Sequence, residues 1–199
     1  MKHPEAYYQL AKCYENGSGV VASQQTAFEY LKIAASLDHP AANYELAQQW
    51  TKVARGSPKI LINICYFYKK AAEKNHPEAM YEYALCLRDG LGVEKNIPEF
   101  MVVIEEASRY TEKAKKEYAQ ALYLRAKKEL EMNENERAEA SYELAIKLGN
   151  KEALVELQQR RYLVEMTRPQ INKQDCLNQK ALKQVMGLNV TISKWTAIR

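Results

Sequence analysis

Histidine, glycine, proline and cysteine are scarce in this chain of 199 residues, which contains 3, 7, 6 and 4 of them. The cysteines form no C-x-x-C pair, so neither a disulfide framework nor a cysteine zinc site is expected. Cys13 and Cys86 recur at one place in two repeats and are predicted to be small buried thiols. Because breakers are few and alanine, leucine, glutamate, lysine and tyrosine are abundant, the composition favours helix.

Long apolar runs and targeting segments are also missing. The longest apolar stretch, Ile60 to Tyr68, is interrupted by Asn63 and is too short to span a bilayer. Met1-Lys2-His3 leads directly into the first repeat, so no signal peptide is expected. We therefore predict a cytoplasmic protein without a membrane span. The alternative is an exported protein, either one whose leader has been removed or one that is exported without a leader.

Motifs for catalysis are absent as well. The sequence contains no GxxxxGK[ST], no GxGxxG that opens a helix after a strand, no GxSxG and no HExxH. All three histidines share one repeat-boundary position, so neither a Cys–His dyad nor a zinc site is supported. We therefore expect a protein that is not an enzyme, with no catalytic residue, metal or cofactor.

The net charge is only +4 and is unevenly distributed. Residues 168–199 hold six basic residues against one acid, which is +5, so the preceding 167 residues sum to −1. Because residues 1–167 carry almost no net charge, they are not expected to bind polyanions. Recognition of single-stranded RNA by helical repeats is for this reason the least favoured interpretation, and no nucleic-acid partner is expected.

The sequence does contain a tetrapeptide that it nearly repeats. His3-Pro4-Glu5-Ala6 returns as His39-Pro40-Ala41-Ala42 and as His76-Pro77-Glu78-Ala79, at steps of 36 and 37 residues. A constant period of this size indicates a repeat array in which each unit buries its apolar face against its neighbours. The units are predicted at about 3–38, 39–75, 76–110 and 111–149, with a half unit at 150–166.

Each unit is predicted to consist of two amphipathic helices, for example 4–16 and 24–37 in the first. Proline suits the first turn of the first helix, and Gly17 and Gly90 suit the position just past its end. Small residues are expected where helices approach closely. In the first helices these are the pairs Ala6/Ala11, Ala42/Ala47, Ala79/Ala84 and Ala121/Ala126.

Two longer motifs carry a family resemblance. Tyr14-x-x-Gly17-x-Gly19-Val20 and Leu87-x-x-Gly90-x-Gly92-Val93, each followed by an Ala-Ala or Ala-Ser pair, resemble the SEL-one-like repeat (SLR) family. The resemblance is strong over 3–38 and 76–110, weaker over 39–75 and 111–166, and absent from 169–199. It implies an all-α, right-handed α-α superhelix of antiparallel helix pairs, related to the tetratricopeptide repeats. Many such proteins are bacterial, including secreted factors that act on host proteins.

The resemblance also implies a partner-binding groove along the first helices of the units. A peptide segment or helix of another protein is the expected occupant, and tyrosine is enriched at such interfaces. Internal packing of the tyrosines and an ordinary solvated face are the alternatives. Related tetratricopeptide positions select the column Tyr8, Tyr44, Tyr81 and Tyr123, flanked by Lys12, Gln48, Leu85 and Lys127 and by Glu15, Thr51, Arg88 and Leu130.

The basic segment 169–199 is the second candidate for an interaction. Its apolar residues predict a helix that begins near Asp175 and ends at Gly187, followed by an extended tail. The helix is expected to cap the array, and binding to another chain is the alternative. The function expected for the whole chain is a protein-interaction scaffold or adaptor. A regulatory subunit of an enzyme and a secreted bacterial effector remain open as alternatives.

Overall fold

The computed structural model describes residues 3–53 and 57–167. Within these ranges the chain forms nine helices and no strand. The helix bounds predicted for the first unit, 4–16 and 24–37, agree with the observed ones to within one residue. The helices are α1 (Pro4–Asn16), α2 (Gln24–Ser36), α3 (Pro40–Val53), α4 (Pro58–Ala72), α5 (Pro77–Asp89), α6 (Ile97–Ala107), α7 (Glu112–Glu131), α8 (Asn135–Lys147) and α9 (Lys151–Thr167).

The helices pack in chain order. α1 packs on α2, α3 on α4, α5 on α6 and α7 on α8, and each pair contacts the next through α2–α3, α4–α5 and α6–α7. This is the nearest-neighbour packing of a repeat array, and the predicted all-α solenoid of antiparallel helix pairs is confirmed. We refer below to α1, α3, α5 and α7 as the first helices and to α2, α4, α6 and α8 as the second helices.

Two compact units divide the chain, residues 1–157 and 158–199. All packing described below lies within the first unit. The described part of the second unit consists of Gln158–Thr167, the C-terminal part of α9. The predicted capping helix and extended tail of residues 169–199 lie outside the described residues.

The helix ends follow the local signals that the sequence contains. Pro4 and Pro77 occupy the first turns of α1 and α5, where a missing N–H costs nothing. Gly17 and Gly90 end these helices with φ values of 71° and 73°, in the left-handed region that glycine enters without strain. The predicted starts and stops of α1 and α5 are therefore confirmed.

Small residues form most of the predicted helix contacts, but Ala6 of the predicted pair Ala6/Ala11 is exposed, so the prediction is wrong for that residue. Ala47 and Ala84 on first helices and Ala34 and Ala71 on second helices are 0% exposed, as are Ala42, Ala79, Ala107 and Ala145. Large apolar side chains fill the space between these contacts, and the largest fully buried ones include Leu87, Ile104, Leu122 and Tyr142. Close helix approach at alanine, with bulky residues beside it, gives each unit a dense interior. The buried residues form two clusters, one around Leu31 and Leu46 and one from Ala47 to Leu157, and the partly buried Trp50 and Phe67 pack against both.

The fourth unit differs from the prediction in its register. Its first helix, α7, begins after Thr111, whose hydroxyl accepts a hydrogen bond from the Ala114 N–H at 3.2 Å. Counted from that cap, Ala114 and Ala119 take the buried places that Ala79 and Ala84 have in α5, whereas Ala121 is only partly buried. The predicted pair Ala121/Ala126 is thus seven residues too late.

The same shift moves the predicted column of tyrosines. Lys116, not Tyr123, is the counterpart of Tyr81 when positions are counted from the N-terminal caps. Seven residues make almost two helical turns, so both registers place alanine on the same face of α7. Because α7 has 20 residues and α5 has 13, the longer helix accommodates either alignment, and only the position of the cap decides between them.

The loop from α5 to α6 touches the preceding unit at Gly92. A Cβ added to Gly92 would lie 2.1 Å from the carbonyl oxygen of Leu61 in α4. Gly19 is the equivalent residue of the first unit and has almost the same φ, 75° against 72°, but nothing lies within 4 Å of its added Cβ. The second glycine of the Gly-x-Gly motif is therefore a packing requirement only where another unit precedes it.

Candidate partner-binding site

The tyrosines of the predicted column lie between consecutive units. Tyr8 and Tyr44 are each five residues after a boundary histidine and are partly buried. The ring of Tyr8 stacks on His39 with centroids 4.5 Å apart, and Tyr44 stacks on His76 at 4.7 Å. One face of each ring is therefore covered by the next unit, which is the packing arrangement that the sequence left open as an alternative.

Two boundary histidines, His39 and His76, cap the first helices α3 and α5, whereas His3 makes no cap hydrogen bond at α1. Nδ1 of His39 accepts a hydrogen bond from the Ala42 N–H at 3.2 Å, and Nδ1 of His76 accepts one from the Ala79 N–H at 3.4 Å. With Nδ1 as acceptor, Nε2–H of His39 donates to Glu5 at 2.8 Å. Capping and stacking account for the histidine at the second and third of the three His-Pro boundaries.

The first junction is the contact between the first helices α1 and α3. Glu45 of α3 accepts hydrogen bonds from the Tyr8 hydroxyl at 2.7 Å and from the Lys12 ammonium at 2.8 Å. The ammonium also contacts Glu15 at 2.9 Å and lies 5.5 Å from the centroid of the Tyr8 ring. The structure thus brings Tyr8, Lys12 and Glu15 of the predicted site into one cluster around Glu45.

The ionisation of this cluster reflects its burial and its contacts. Burial raises the pKa of Tyr8 to about 12, and the hydrogen bond to Glu45 adds to the rise. Burial lowers the pKa of Lys12, but its hydrogen bonds to Glu45 and Glu15 outweigh burial and leave the pKa raised. Both side chains therefore keep their protons at neutral pH and act as donors to carboxylates.

A polar cleft adjoins the first junction. It has a volume of about 330 Å³ and lies between α1, α2 and α3. Lys12, Glu15, Glu45, Gln49 and Lys52 supply its charged and amide groups, and Phe28 and Leu31 of α2 supply apolar wall. Because both signs of charge line the cleft and pair with each other at Lys12, it lacks the single sign expected of a phosphate or metal site.

The second junction joins α3 to α5 and repeats the first with one change. Tyr44 stands in the place of Tyr8, Gln48 in that of Lys12 and Glu82 in that of Glu45. The Gln48 amide donates to the Tyr44 hydroxyl at 2.7 Å. Glu82 is half-buried, and burial raises its pKa, which Lys113 lowers in part. No described residue forms a hydrogen bond or ion pair with its carboxylate.

The third junction, between α5 and α7, is closed by an arginine. The Arg88 guanidinium pairs with Glu117 of α7 and with Asp89 at 2.7 Å. Tyr81 and Leu85 lie on the same face of α5 and are half-buried. Burial raises the pKa of Tyr81, and the carboxylate of Glu117 adds to the rise. Arg88 of the predicted site is therefore engaged within the chain.

The fourth junction joins α7 to α9. Glu156 of α9 accepts hydrogen bonds from Tyr123 at 2.8 Å and from Tyr142 of α8 at 2.9 Å. Lys127 lies with its ammonium 5.4 Å from the centroid of the Tyr123 ring. Tyr123 thus packs between units through a different position of the repeat from that of Tyr8 and Tyr44.

A row of glutamates connects the four junctions, and the sequence analysis missed it. Each glutamate lies six residues after the capping position of its helix, at His39, His76, Thr111 and Asn150. That constant spacing was readable in the sequence, but only after the cap of α7 had been placed at Thr111. The row consists of Glu45, Glu82, Glu117 and Glu156.

Of the three cysteines that lie in the described ranges, two are buried and one is partly buried. Cys65 and Cys86 are 4% and 7% exposed. A hydrogen bond between their thiols and burial raise the pKa of Cys86. Cys13 is only partly buried, so the prediction of a buried thiol holds for Cys86 and is wrong for Cys13. In the described ranges, no three His, Cys, Asp or Glu side chains are grouped to hold a metal ion.

No helix of the described residues is both long enough and apolar enough to cross a bilayer.

Comparison with protein families identifies the repeat. The Sel1 repeat family model matches residues 4–39, 65–76 and 77–99. Over these residues the chain is similar to the Sel1 repeat. These segments include the His76-Pro77 boundary, the capping glycines Gly17 and Gly90, and part of the alanine contacts described above. The Sel1 repeat is a protein-interaction repeat, and proteins built from it are generally non-enzymatic scaffolds.

One curated relative is the chitin synthase regulatory factor 3 of Schizosaccharomyces pombe. It is 33% identical over 111 residues, which are 53% of this chain and 12% of that protein. The chain thus spans about an eighth of the length of the curated relative it matches.

Two solved bacterial structures share the fold. A Sel1 repeat protein from Oxalobacter formigenes has a TM-score of 0.52 at 28% identity, over 58% of this chain and 86% of that one. A protective antigen of uropathogenic Escherichia coli strains, which displays an SLR fold, has a TM-score of 0.54 at 20% identity. That match covers 78% of this chain and 32% of the antigen.

Proposed function

We propose that this Sel1-repeat protein is a scaffold or adaptor, without catalytic activity, that binds a peptide segment or helix of a partner protein along its first helices. The observation that carries the proposal is the recurrence of partly exposed tyrosines at one position of consecutive units, Tyr8, Tyr44 and Tyr81. The rings of Tyr8 and Tyr44 stack on His39 and His76, and all three tyrosines keep part of their surface exposed. Rigid, amphipathic rings held in a row suit recognition of an extended segment.

The side chains beside the tyrosines support the same proposal. Gln48 and Lys127 are exposed and Leu85 is half-buried, so amide, cationic and apolar groups follow one another along the first helices. Such a mixture favours recognition of a peptide by several modest contacts over recognition of one small molecule. The ion pairs at Glu45 and Glu117 hold the units together behind these side chains and keep the row in place.

A random linear peptide library selected against the whole chain tests the proposal. Leu85→Ala and Lys127→Ala should each weaken binding of the selected peptides by about fivefold or more, as expected of interface residues that contribute about 1 kcal/mol. The matched controls are Lys32→Ala and Asn63→Ala, which truncate exposed residues of the second helices α2 and α4. Equal binding by all four variants would place the site elsewhere.

A regulatory subunit of an enzyme is the second candidate function. It is favoured by the description of the Schizosaccharomyces pombe relative as a regulatory factor. The chain would then be cross-linked in its native cells through an exposed position such as Gln48, and the captured enzyme assayed with and without the purified chain. A changed turnover supports regulation, and an unchanged turnover of a captured enzyme supports the adaptor.

A further inference from the structure

The first junction contains a complete site for an ammonium ion, occupied by the chain itself. The Lys12 ammonium lies 2.8 Å from a carboxylate oxygen of Glu45 and 5.5 Å from the centroid of the Tyr8 ring. A carboxylate supplies a charge-assisted hydrogen bond, and the tyrosine ring supplies a cation–π contact. The arrangement thus has three parts: a tyrosine ring, a carboxylate and the ammonium between them. An ammonium at the equivalent place of the second junction would need the same ring and the same carboxylate.

The second junction contains two of these three parts. Tyr44 and Glu82 occupy the places of Tyr8 and Glu45, and their positions relative to the capping histidines are identical. Gln48 stands where the first junction has Lys12, and its amide contacts the Tyr44 hydroxyl and not Glu82. The second junction therefore has the tyrosine ring and the carboxylate, but Gln48 supplies no cation to them.

Glu82 differs from the other glutamates of the row in having no partner among the described residues. Glu45 is paired with Lys12, Glu117 with Arg88, and Glu156 with two tyrosine hydroxyls. No fully buried side-chain oxygen of the described ranges lacks a hydrogen bond, so the carboxylate oxygens of Glu82 reach the surface. A partner can therefore contact them without any rearrangement of the helices.

The surroundings of Glu82 favour a cation from outside. The charge of Glu82 contributes to the raised pKa values of Tyr44 in α3 and Tyr68 in α4. Lys113 of α7 forms no ion pair with Glu82, but its charge lowers the pKa of that carboxyl in part. Burial raises the pKa of Glu82 above the usual range of a carboxyl. A half-buried charge without a partner is unfavourable, and an incoming cation removes that cost.

We propose that Tyr44 and Glu82 bind a basic side chain of the partner segment, with its cationic group in the position that the Lys12 ammonium has in the first junction. The inference rests on the proposed function and names the chemistry of the partner: an extended or helical segment that presents a lysine or arginine. Leu85, one turn along α5, provides apolar surface for the methylene chain of that residue.

Exchange of one residue between the two junctions tests the proposal. Gln48→Lys places an ammonium on the chain itself at the second junction and should weaken binding of library-selected peptides by about tenfold, the effect of one charge-assisted hydrogen bond. Gln48→Met has similar length without the charge and should stay within about twofold of the original chain. Equal losses in both variants would assign the effect to the Gln48 amide and overturn the proposal.

A double-substitution cycle identifies the contact directly. Replacing the critical lysine of a selected peptide by norleucine and replacing Glu82 by glutamine should each weaken binding about tenfold, and the two changes together should cost little more than one. Glu78→Gln is the matched control, because Glu78 is an exposed carboxylate on the same helix. Additive losses would overturn the proposed pairing.

The outcomes also separate this inference from the proposed function. Selection of peptides that contain no essential basic residue, or that bind the Gln48→Lys variant as well as the original chain, overturns the basic-residue site and leaves the peptide-binding scaffold intact. Recovery of no peptide by the folded whole chain overturns both. Selected peptides with one essential lysine or arginine whose effect depends on Glu82 support both.

Discussion

Replacement of Gly92 by alanine tests how consecutive units of the array fit together. The new Cβ would lie 2.1 Å from the carbonyl oxygen of Leu61, 2.4 Å from the carbonyl carbon of Leu61 and 2.7 Å from the amide nitrogen of Ile62. All three atoms belong to the backbone of α4, so no side-chain rotation relieves the overlap. The loop from α5 to α6 would have to move away from α4.

The expected loss of unfolding free energy in Gly92→Ala is the sum of two costs, one from the backbone conformation and one from the overlap. A residue with a side chain pays about 1–2 kcal/mol for a left-handed backbone conformation, partly offset by about 0.4–1 kcal/mol because alanine restricts the unfolded chain. The overlap with Leu61 is about 1.3 Å short of ordinary contact at 3.4 Å. Overpacking of this kind typically costs a further 1–3 kcal/mol, so Gly92→Ala should lose about 2–4 kcal/mol of unfolding free energy.

Gly19→Ala is the matched control, because it carries the cost of the backbone conformation without the overlap. Its loss should be about 1 kcal/mol or less. Urea unfolding followed by circular dichroism measures both variants, and each kcal/mol corresponds to a Tm shift of about 2–4 °C for a chain of this size. Hydrogen exchange should show faster opening of α4, α5 and α6 in Gly92→Ala alone. Equal losses in the two variants would refute the argument that Gly92 contacts the preceding unit.

Three further predictions concern the junctions and the helix caps. Glu45→Gln should lower the unfolding free energy by about 1–3 kcal/mol, because it breaks the contacts with Tyr8 and Lys12, whereas Glu82→Gln should raise it at pH 7. Because the pKa of Glu82 is raised in the folded protein, ionisation of this carboxyl lowers the free energy of unfolding as pH rises through the carboxyl range. The gain in stability from Glu82→Gln should therefore vanish in acid. A variant that is less stable than the original chain at pH 7 would contradict this. Ser23→Ala should cost about 1 kcal/mol in urea unfolding, since Ser23 caps α2, while Ser57→Ala should cost far less because Ser57 makes no side-chain cap bond. Tyr8, with a pKa of about 12 in the folded protein and near 10 when unfolded, makes stability fall as pH rises from about 10 to 12, and Tyr8→Phe should flatten that part of the profile.

Most of the fold was predictable because its signals are local. Proline in the first turn, glycine after the last turn and alanine at the helix contacts depend on neighbouring residues and on a constant period, so they are visible in the sequence. The register of α7 was not predictable in the same way. A shift of seven residues preserves the apolar face of a helix, and the cap at Thr111 that decides the register is one weak signal.

The candidate site was predictable only in part. The column residues Tyr8, Tyr44 and Tyr81 were selected correctly as equivalent positions, but their hydrogen-bond partners were not foreseen. The partner of Tyr8, Glu45, comes from the next unit along the chain, whereas that of Tyr44, Gln48, lies on the same helix. Whether a lysine at one position meets a glutamate 33 residues later depends on how consecutive units stack, and the period alone does not contain that distance.

The sequence by itself determined that this protein is an array of helix pairs, because the repeated His-Pro boundary, the glycines and the alanines act within one unit or at a constant spacing. The tertiary structure decided which charges are satisfied. Lys12 and Arg88 are directed at glutamates of the following unit, while Gln48 leaves Glu82 without a cation. Such differences arise from the stacking of units, where a few ångströms separate an ion pair from an open carboxylate.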